Sequence, residues 1–236
     1  MRITAISDTH GRHLELDDKY FPGGDLLIHT GDFLEFAKYK SELRGFCTWY
    51  ELFDNYQKRI LVAGNHDLFM DNYRDDAEHI LTHEYRYVDY LEDDWISYTK
   101  SLDESVKIMG SPWTFKLLGE SVFTHNRGSK EMKRRWDILT NDIDILVTHS
   151  PPQGILDNLF YHDEDVGNIG CEFLAERVKE IKPKIHIFGH CHGENTYHFD
   201  GTTHYINAAL MDDKFFWYKD PITFDWNVDT NEIEFV

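Results

Sequence analysis

Five short apolar runs in this chain each stop abruptly at a cluster of polar side chains. Residues 3–7, 25–29, 59–63, 144–147 and 184–188 have the length and apolar content of buried strands. They give way to Asp8-Thr9-His10-Gly11, Thr30-Gly31-Asp32, Gly64-Asn65-His66-Asp67, Thr148-His149-Ser150 and Gly189-His190-Cys191-His192. Between the first strands the period lengthens: Phe46, Trp49, Tyr50, Phe53 and Tyr56 recur at helical steps and predict a helix over about 35–57. Acid- and His-rich sequence over 71–83, the segment 130–139, and the segment 172–181 stopped by Pro183 predict further helices. From 85 to 112 the pattern turns to short β-prone runs, at 85–88, 95–98 and 106–109, separated by acidic turns, which predicts antiparallel hairpins. Residues 153–169 read as a long loop holding Asp157, His162, Asp163 and Asp165, and 203–207, 222–226 and 233–236 read as strands. With no linker, repeat or low-complexity tract, the expectation is one domain over 1–236.

Size and charge narrow the function. A chain of 236 residues, 41% hydrophobic, supports a sizeable core. Its 43 acids against 24 bases give a net charge of −19, which repels nucleic-acid backbones and anionic membranes. Small phosphorylated molecules remain compatible if metal ions supply positive charge locally. Cys47, Cys171 and Cys191 are odd in number and widely spaced, which argues against a disulfide framework and suits a reducing compartment. No apolar run approaches the roughly 18 residues of a membrane helix, and the N-terminus lacks signal-peptide architecture. A cytoplasmic location is the expectation.

The clusters bring chemistry to one place. Each follows the C-terminal end of a strand, where open α/β sheets gather ligands. Together they hold Asp8, His10, Asp32, Asn65, His66, Asp67, His149, His190 and His192. These oxygen and nitrogen donors suit Mn, Fe or Zn better than a soft-metal site. In extended chain, residues i and i+2 face the same side, so Asp8/His10 and His190/His192 can each serve one cavity. After the Gly64 turn come an amide oxygen, an imidazole of near-neutral pKa and a carboxylate able to orient that imidazole.

Asp-x-His, Gly-Asp, Gly-Asn-His-Asp, a strand-end His and Gly-His-x-His, in that order from Asp8 to His192, resemble the calcineurin-like metallophosphoesterase superfamily. Gly110-Ser111-Pro112-Trp113, Thr148-His149-Ser150-Pro151-Pro152 and Gly189-His190-Cys191-His192 are similar to its class III small phosphodiesterases and metallophosphoesterase-domain proteins. The resemblance implies an α/β fold of two mixed β-sheets sandwiched between helices, a four-layer αββα sandwich. It implies two divalent metal ions, Mn first, with Fe, Zn or Ni as alternatives. One would be held by Asp8, His10, Asp32 and His192, the other by Asp32, Asn65, His149 and His190. His66 would contact the phosphate or protonate the leaving oxygen, with Asp67 orienting its ring. The implied activity is phosphodiester hydrolysis by metal-activated water on a small nucleotide or similar diester. Phosphomonoesterase, protein phosphatase and non-catalytic protein-binding scaffold are the alternatives.

Other residues carry weaker signals. Asn65, His66, His13 and Arg127 are candidate substrate contacts, and Asn126 and His162 lie in loops able to reach the site. Cys191 alternates away from its histidine neighbours and reads as a packing residue. His29, His186 and His204 also read as packing residues, and Lys130, Lys133, Arg134 and Arg135 as an exposed helix face.

Overall fold

The computed structural model describes residues 1–236 except 103, 117, 118, 120, 162, 163, 194, 195 and 218, with backbone alone at 160, 161 and 164. Two six-stranded sheets dominate it. In the first, Arg2–Ile6, Gly24–His29, Tyr56–Leu61 and Val88–Tyr90 run parallel, and Ile222–Trp226 and Ile233–Phe235 extend the other edge antiparallel. In the second, Glu104–Ser111, Ile145–Thr148, Ile185–Phe188 and His204–Asn207 run parallel between antiparallel edges Asp94–Ser101 and Tyr197–Phe199.

Alternation along the strands explains the layering. Ile3, Ala5, Leu26, Ile28, Ile60 and Val62 from one sheet share a dry core with Ile108, Ile145, Val147, Ile185, Ile187 and Ile206 from the other. The intervening positions face outward and are buried too, which is why the parallel strands read as continuous apolar runs. Ile6, Leu27 and Leu61 lie in a cluster with Phe46, Cys47 and Tyr50 of the helix Lys40–Glu51. Leu146 and Phe188 lie with Met132 and Trp136 of Lys130–Asp137 and Leu174 and Val178 of Glu172–Ile181. The result is the helix–sheet–sheet–helix order that the sequence resemblance implies.

Several predicted elements change. The helix over 35–57 shrinks to Lys40–Glu51. Residues 38 and 39 are held outside it, because the Glu42 carboxylate accepts their N–H groups. Phe53 and Tyr56 stay buried, but Arg59 ties both their carbonyls into a turn and Tyr56 opens the next strand. The helix over 71–83 becomes Leu68–Asn72, Arg74–His79 and a wide π turn, Ile80–Glu84, broken at Tyr73 where the backbone leaves the helical region. The hairpin at 85–88 is not formed: Val88–Tyr90 pairs in parallel with Tyr56–Leu61. The long loop over 153–169 contains a small antiparallel pair, Asn158–Tyr161 with Glu164–Asn168. No helix among the described residues is long and apolar enough to cross a membrane.

Candidate metal centre

The carboxyl ends of the parallel strands meet at one rim. Ser7 pairs with Ala209, and Leu210 N–H donates to the Ser7 carbonyl, so the two sheets are stitched where Asp8 leaves the first strand. His10 N–H donates to the Asp32 carbonyl and Gly189 N–H to the His149 carbonyl, which ties the clusters to one another. Gly64 and Gly189 are needed for this closeness. A Cβ on Gly64 would collide with Asp32 Oδ1, and one on Gly189 with the Ser7 and Asp8 side chains. Asp8, His10, Asp32 and His190 all sit at positive φ, 55°, 43°, 52° and 67°. That region costs an L-residue roughly 1–2 kcal/mol, so the rim concentrates backbone strain at these groups.

Donor atoms of Asp8, His10 and His192 converge within 4.8 Å of one another, as do those of His10, Asp32 and His66 and those of Asp32, His149 and His190. Asn65 joins the last group through its Oδ1, 3.0 Å from His149 Nε2. The histidine tautomers follow from their outer partners. His149 Nδ1 donates to the Thr30 carbonyl at 3.0 Å, and His192 Nδ1 to the Asp212 carbonyl at 3.0 Å. His10 Nδ1 meets Glu35 Oε2 at 2.5 Å, and His190 Nε2 lies 3.5 Å from Thr114 Oγ1. Outer partners of this kind fix the ring and turn the other nitrogen toward a ligand.

What faces inward is a set of acceptors. His10 Nε2 and His192 Nε2 are 3.3 Å apart, with Asp8 Oδ1 3.2 Å from the latter. His149 Nε2 looks at Asp32 Oδ2 from 3.3 Å as well as at Asn65. Buried acceptors stay together only with a proton or a cation among them. The electrostatics agree. Burial alone would raise Asp32, yet the charges of His149 and His66 hold it well below the usual carboxylate range. Burial would lower His149, but the charge and hydrogen bond of Asp32 lift it to about 9. A field that would keep a proton on a buried imidazole also attracts a dication, whose binding expels that proton. The oxygen and nitrogen donors therefore fit a pair of divalent ions of borderline softness.

His66 is the partly exposed imidazole of this centre, its backbone N–H held by Asp32 Oδ1 at 2.7 Å. Burial would lower its pKa, but Asp32 and Glu35 raise it to about 9. Asp67 departs from the role given to it by the sequence reading. Its carboxylate accepts the backbone N–H groups of Asp32, Leu34 and Gly64 at 2.9, 2.7 and 2.7 Å, and so clamps two loops instead of orienting His66. Glu35 stands beside the His66 ring, Oε1 to Nδ1 at 3.6 Å, and bridges it to His10. The sequence reading missed Glu35. Its only signal is an acid three residues beyond Asp32, after the apolar pair Phe33 and Leu34.

His13 is not brought to the centre. It packs against the rings of Phe46 and Trp49, and burial lowers its pKa to about 4. The Arg127 guanidinium carbon sits over the Phe115 ring, 4.0 Å from its centroid, and the side chain donates to the Gly170 carbonyl, contacts that engage no candidate ligand. The Asn126 carbonyl accepts the Ser129 N–H at the turn before the helix Lys130–Asp137. His162 and Asp163 lie outside the described residues. Cys191 is buried in the core, as read from the sequence, and so are His29 and His186.

Residues 1–194 match the family described as calcineurin-like phosphoesterase. Metallophosphoesterase domain-containing protein 1 of Homo sapiens is 32% identical over 240 residues, spanning 95% of this chain and 70% of that protein. A Caenorhabditis elegans protein, UPF0046 protein C25E10.12, is 33% identical over 238 residues, spanning 95% of this chain and 80% of its own length. The crystal structure of TT1561 of Thermus thermophilus superposes with a TM-score of 0.66 at 15% identity, covering 100% of this chain and 97% of that one, a likeness of fold. The matched stretch begins before the first strand and passes His192, so every candidate metal-ligating side chain lies inside it: this chain belongs to the calcineurin-like phosphoesterase family.

Proposed function

We propose that the chain is a dinuclear metal-dependent phosphodiesterase acting on a small nucleotide or similar diester. Asp8, His10, Asp32 and His192 hold one divalent cation, and Asp32, Asn65, His149 and His190 hold the other. Mn is the first choice, with Fe, Zn or Ni as alternatives. The observation that carries this reading is Asp32, whose carboxylate belongs to two groups of converging donors at once. Bound cations of this kind neutralise phosphate oxygens and activate water for attack on phosphorus.

The remaining work falls to this chain's own residues. His66 carries a proton on Nε2 and gives it to the leaving oxygen, while Nδ1 faces Glu35. Glu35 also fixes His10, so one carboxylate sets the orientation of a ligand and of the proton donor. Burial pushes His190 down to about 3 and keeps it in the neutral, ligating form. Among the described residues, no lysine or arginine makes an ion pair or hydrogen bond with the side chains of Asp8, Asp32 or Asn65. Without such a lysine or arginine beside the cations and His66, the site favours the single charge of a diester over the double charge of a monoester.

The test is turnover by Mn-loaded protein of bis(p-nitrophenyl) phosphate and p-nitrophenyl phosphate. The reading expects the higher kcat/KM for the diester. The reverse order rejects the diester assignment, and no hydrolysis of either rejects the enzymatic one.

A further inference from the structure

Two phenylalanines stand at the centre without contributing to the core. Phe36 lies against His66 with ring centroids 4.3 Å apart and planes tilted by 37°. Phe215 meets His10 edge-on at 4.8 Å and His192 at 5.5 Å, and its centroid is 6.5 Å from that of His66. They are 37% and 40% exposed, and both fall outside the strands, helices and buried clusters of the protein.

Both also sit at positive φ, 48° for Phe36 and 60° for Phe215, where a bulky L-residue is an outlier. Their surroundings hold them there. Phe36 N–H donates to the His66 carbonyl, and Phe215 N–H to the Asp212 carbonyl, the same oxygen that orients His192. Arg12 donates to the Phe215 carbonyl at 2.5 Å, and the Asp212 carboxylate accepts the N–H groups of Lys214 and Phe216 at 2.9 Å each. Strained, water-exposed aromatic rings fixed beside the reacting groups cost stability and add little to folding. Their use must lie in what they touch when the site is filled.

We propose that Phe36 and Phe215 are the specificity surface of the centre, an aromatic platform for a flat aryl or heteroaryl group carried on the phosphate ester. The proposal rests on the phosphoesterase reading above and concerns only the organic part of the substrate. A phenyl face offers area and a quadrupole but no hydrogen bond, so it selects for flatness and tolerates different ring chemistries. Stacking of this kind is worth about 1–3 kcal/mol, which corresponds to roughly 5- to 150-fold in affinity. A merely shielding role, with the rings keeping water from the ligand histidines, would give no preference between flat and alkyl groups.

Calorimetric titration of the Mn-loaded chain with phenylphosphonate and with ethylphosphonate separates the two. Their carbon–phosphorus bond is not an ester, so the readout is binding alone. The parent should favour phenylphosphonate by about 5- to 150-fold. In the Phe36→Ala/Phe215→Ala variant that ratio should fall toward one. Phe215→Leu keeps an apolar side chain of similar bulk and should also lower the ratio, which guards against a double variant that fails to fold. Melting temperature and bound metal are measured for each. Equal affinities in the parent, or a ratio retained in a folded variant, overturn the platform alone. Binding of neither phosphonate to metal-loaded parent overturns the platform; the phosphoesterase reading falls with it only if bis(p-nitrophenyl) phosphate is not hydrolysed either.

Discussion

Replacing Asp67 with Asn separates a structural clamp from a catalytic partner. In the parent, Oδ1 accepts from Leu34 N–H, and Oδ2 accepts from both Asp32 N–H and Gly64 N–H, all out of contact with water. Asparagine keeps one oxygen, so its amide must point a donor at at least one of these buried donors. An orphaned buried N–H costs about 1–3 kcal/mol, and the surviving bonds lose the charge that strengthens them. Burial and the Asp32 charge raise the Asp67 pKa, so Asn also relieves some repulsion. Three N–H donors around one carboxylate outweigh that relief, for a net loss of roughly 3 kcal/mol. In a chain of this length that is about 6–12 °C in melting temperature, read by calorimetry on metal-free Asp67→Asn and parent. A melting temperature within about 2 °C of the parent would refute the clamp. If activity fell at the same time, the role of orienting His66 would be restored.

Three further outcomes follow from the same geometry. His66→Ala should keep the parent's metal content while alkyl diester turnover falls about 10²–10⁴-fold, with activated aryl esters much less affected; an equal loss for both points to phosphate positioning. Stripping metal with EDTA should abolish hydrolysis and lower the melting temperature by about 10–20 °C, since each of the two ions at a hundred times its Kd adds about 2.7 kcal/mol; an unchanged melting temperature with the metal measurably gone contradicts the acceptor-only centre. Away from that centre, His186 Nε2 donates to Thr148 Oγ1 at 2.8 Å while Nδ1 has no partner among the described residues, and burial lowers its pKa to about 3. For a base depressed on folding, this stability is complete above pH ~6.5 and fades as pH falls toward the folded value, by about 3 kcal/mol at pH 4.5. His186→Gln should therefore narrow its gap to the parent in urea midpoint between pH 7 and 4.5, and a constant gap rejects the assignment.

The sequence was most informative where one local rule sufficed. A buried parallel strand must be apolar on both faces, so its end is marked by the first polar residue, and each gathered group follows such an end. Roles that depend on a distant backbone could not be read the same way. Asp67 follows His66 directly, which suggested that it orients that ring, whereas its carboxylate is taken by N–H groups from 32 and 34 that only the fold brings near. His13 resembles a substrate-contacting loop residue in sequence, but it packs against the rings of Phe46 and Trp49 instead. Val88–Tyr90 has hairpin-like composition, yet the open edge of Tyr56–Leu61 takes it as a parallel partner. Phe36 and Phe215 carry no motif in the sequence, and their positive φ and their exposure beside the histidines distinguish them only in the fold.

The most direct test of the account is metal stoichiometry in Asp32→Ala. Parent and variant are stripped, reconstituted with Mn, freed of unbound ion and measured by elemental analysis per folded chain. Removing the carboxylate shared by two groups of donors takes a ligand from each position and the negative charge between them, so their mutual repulsion rises. The account predicts two Mn per chain in the parent and at most one in Asp32→Ala; two ions retained by the variant would contradict it.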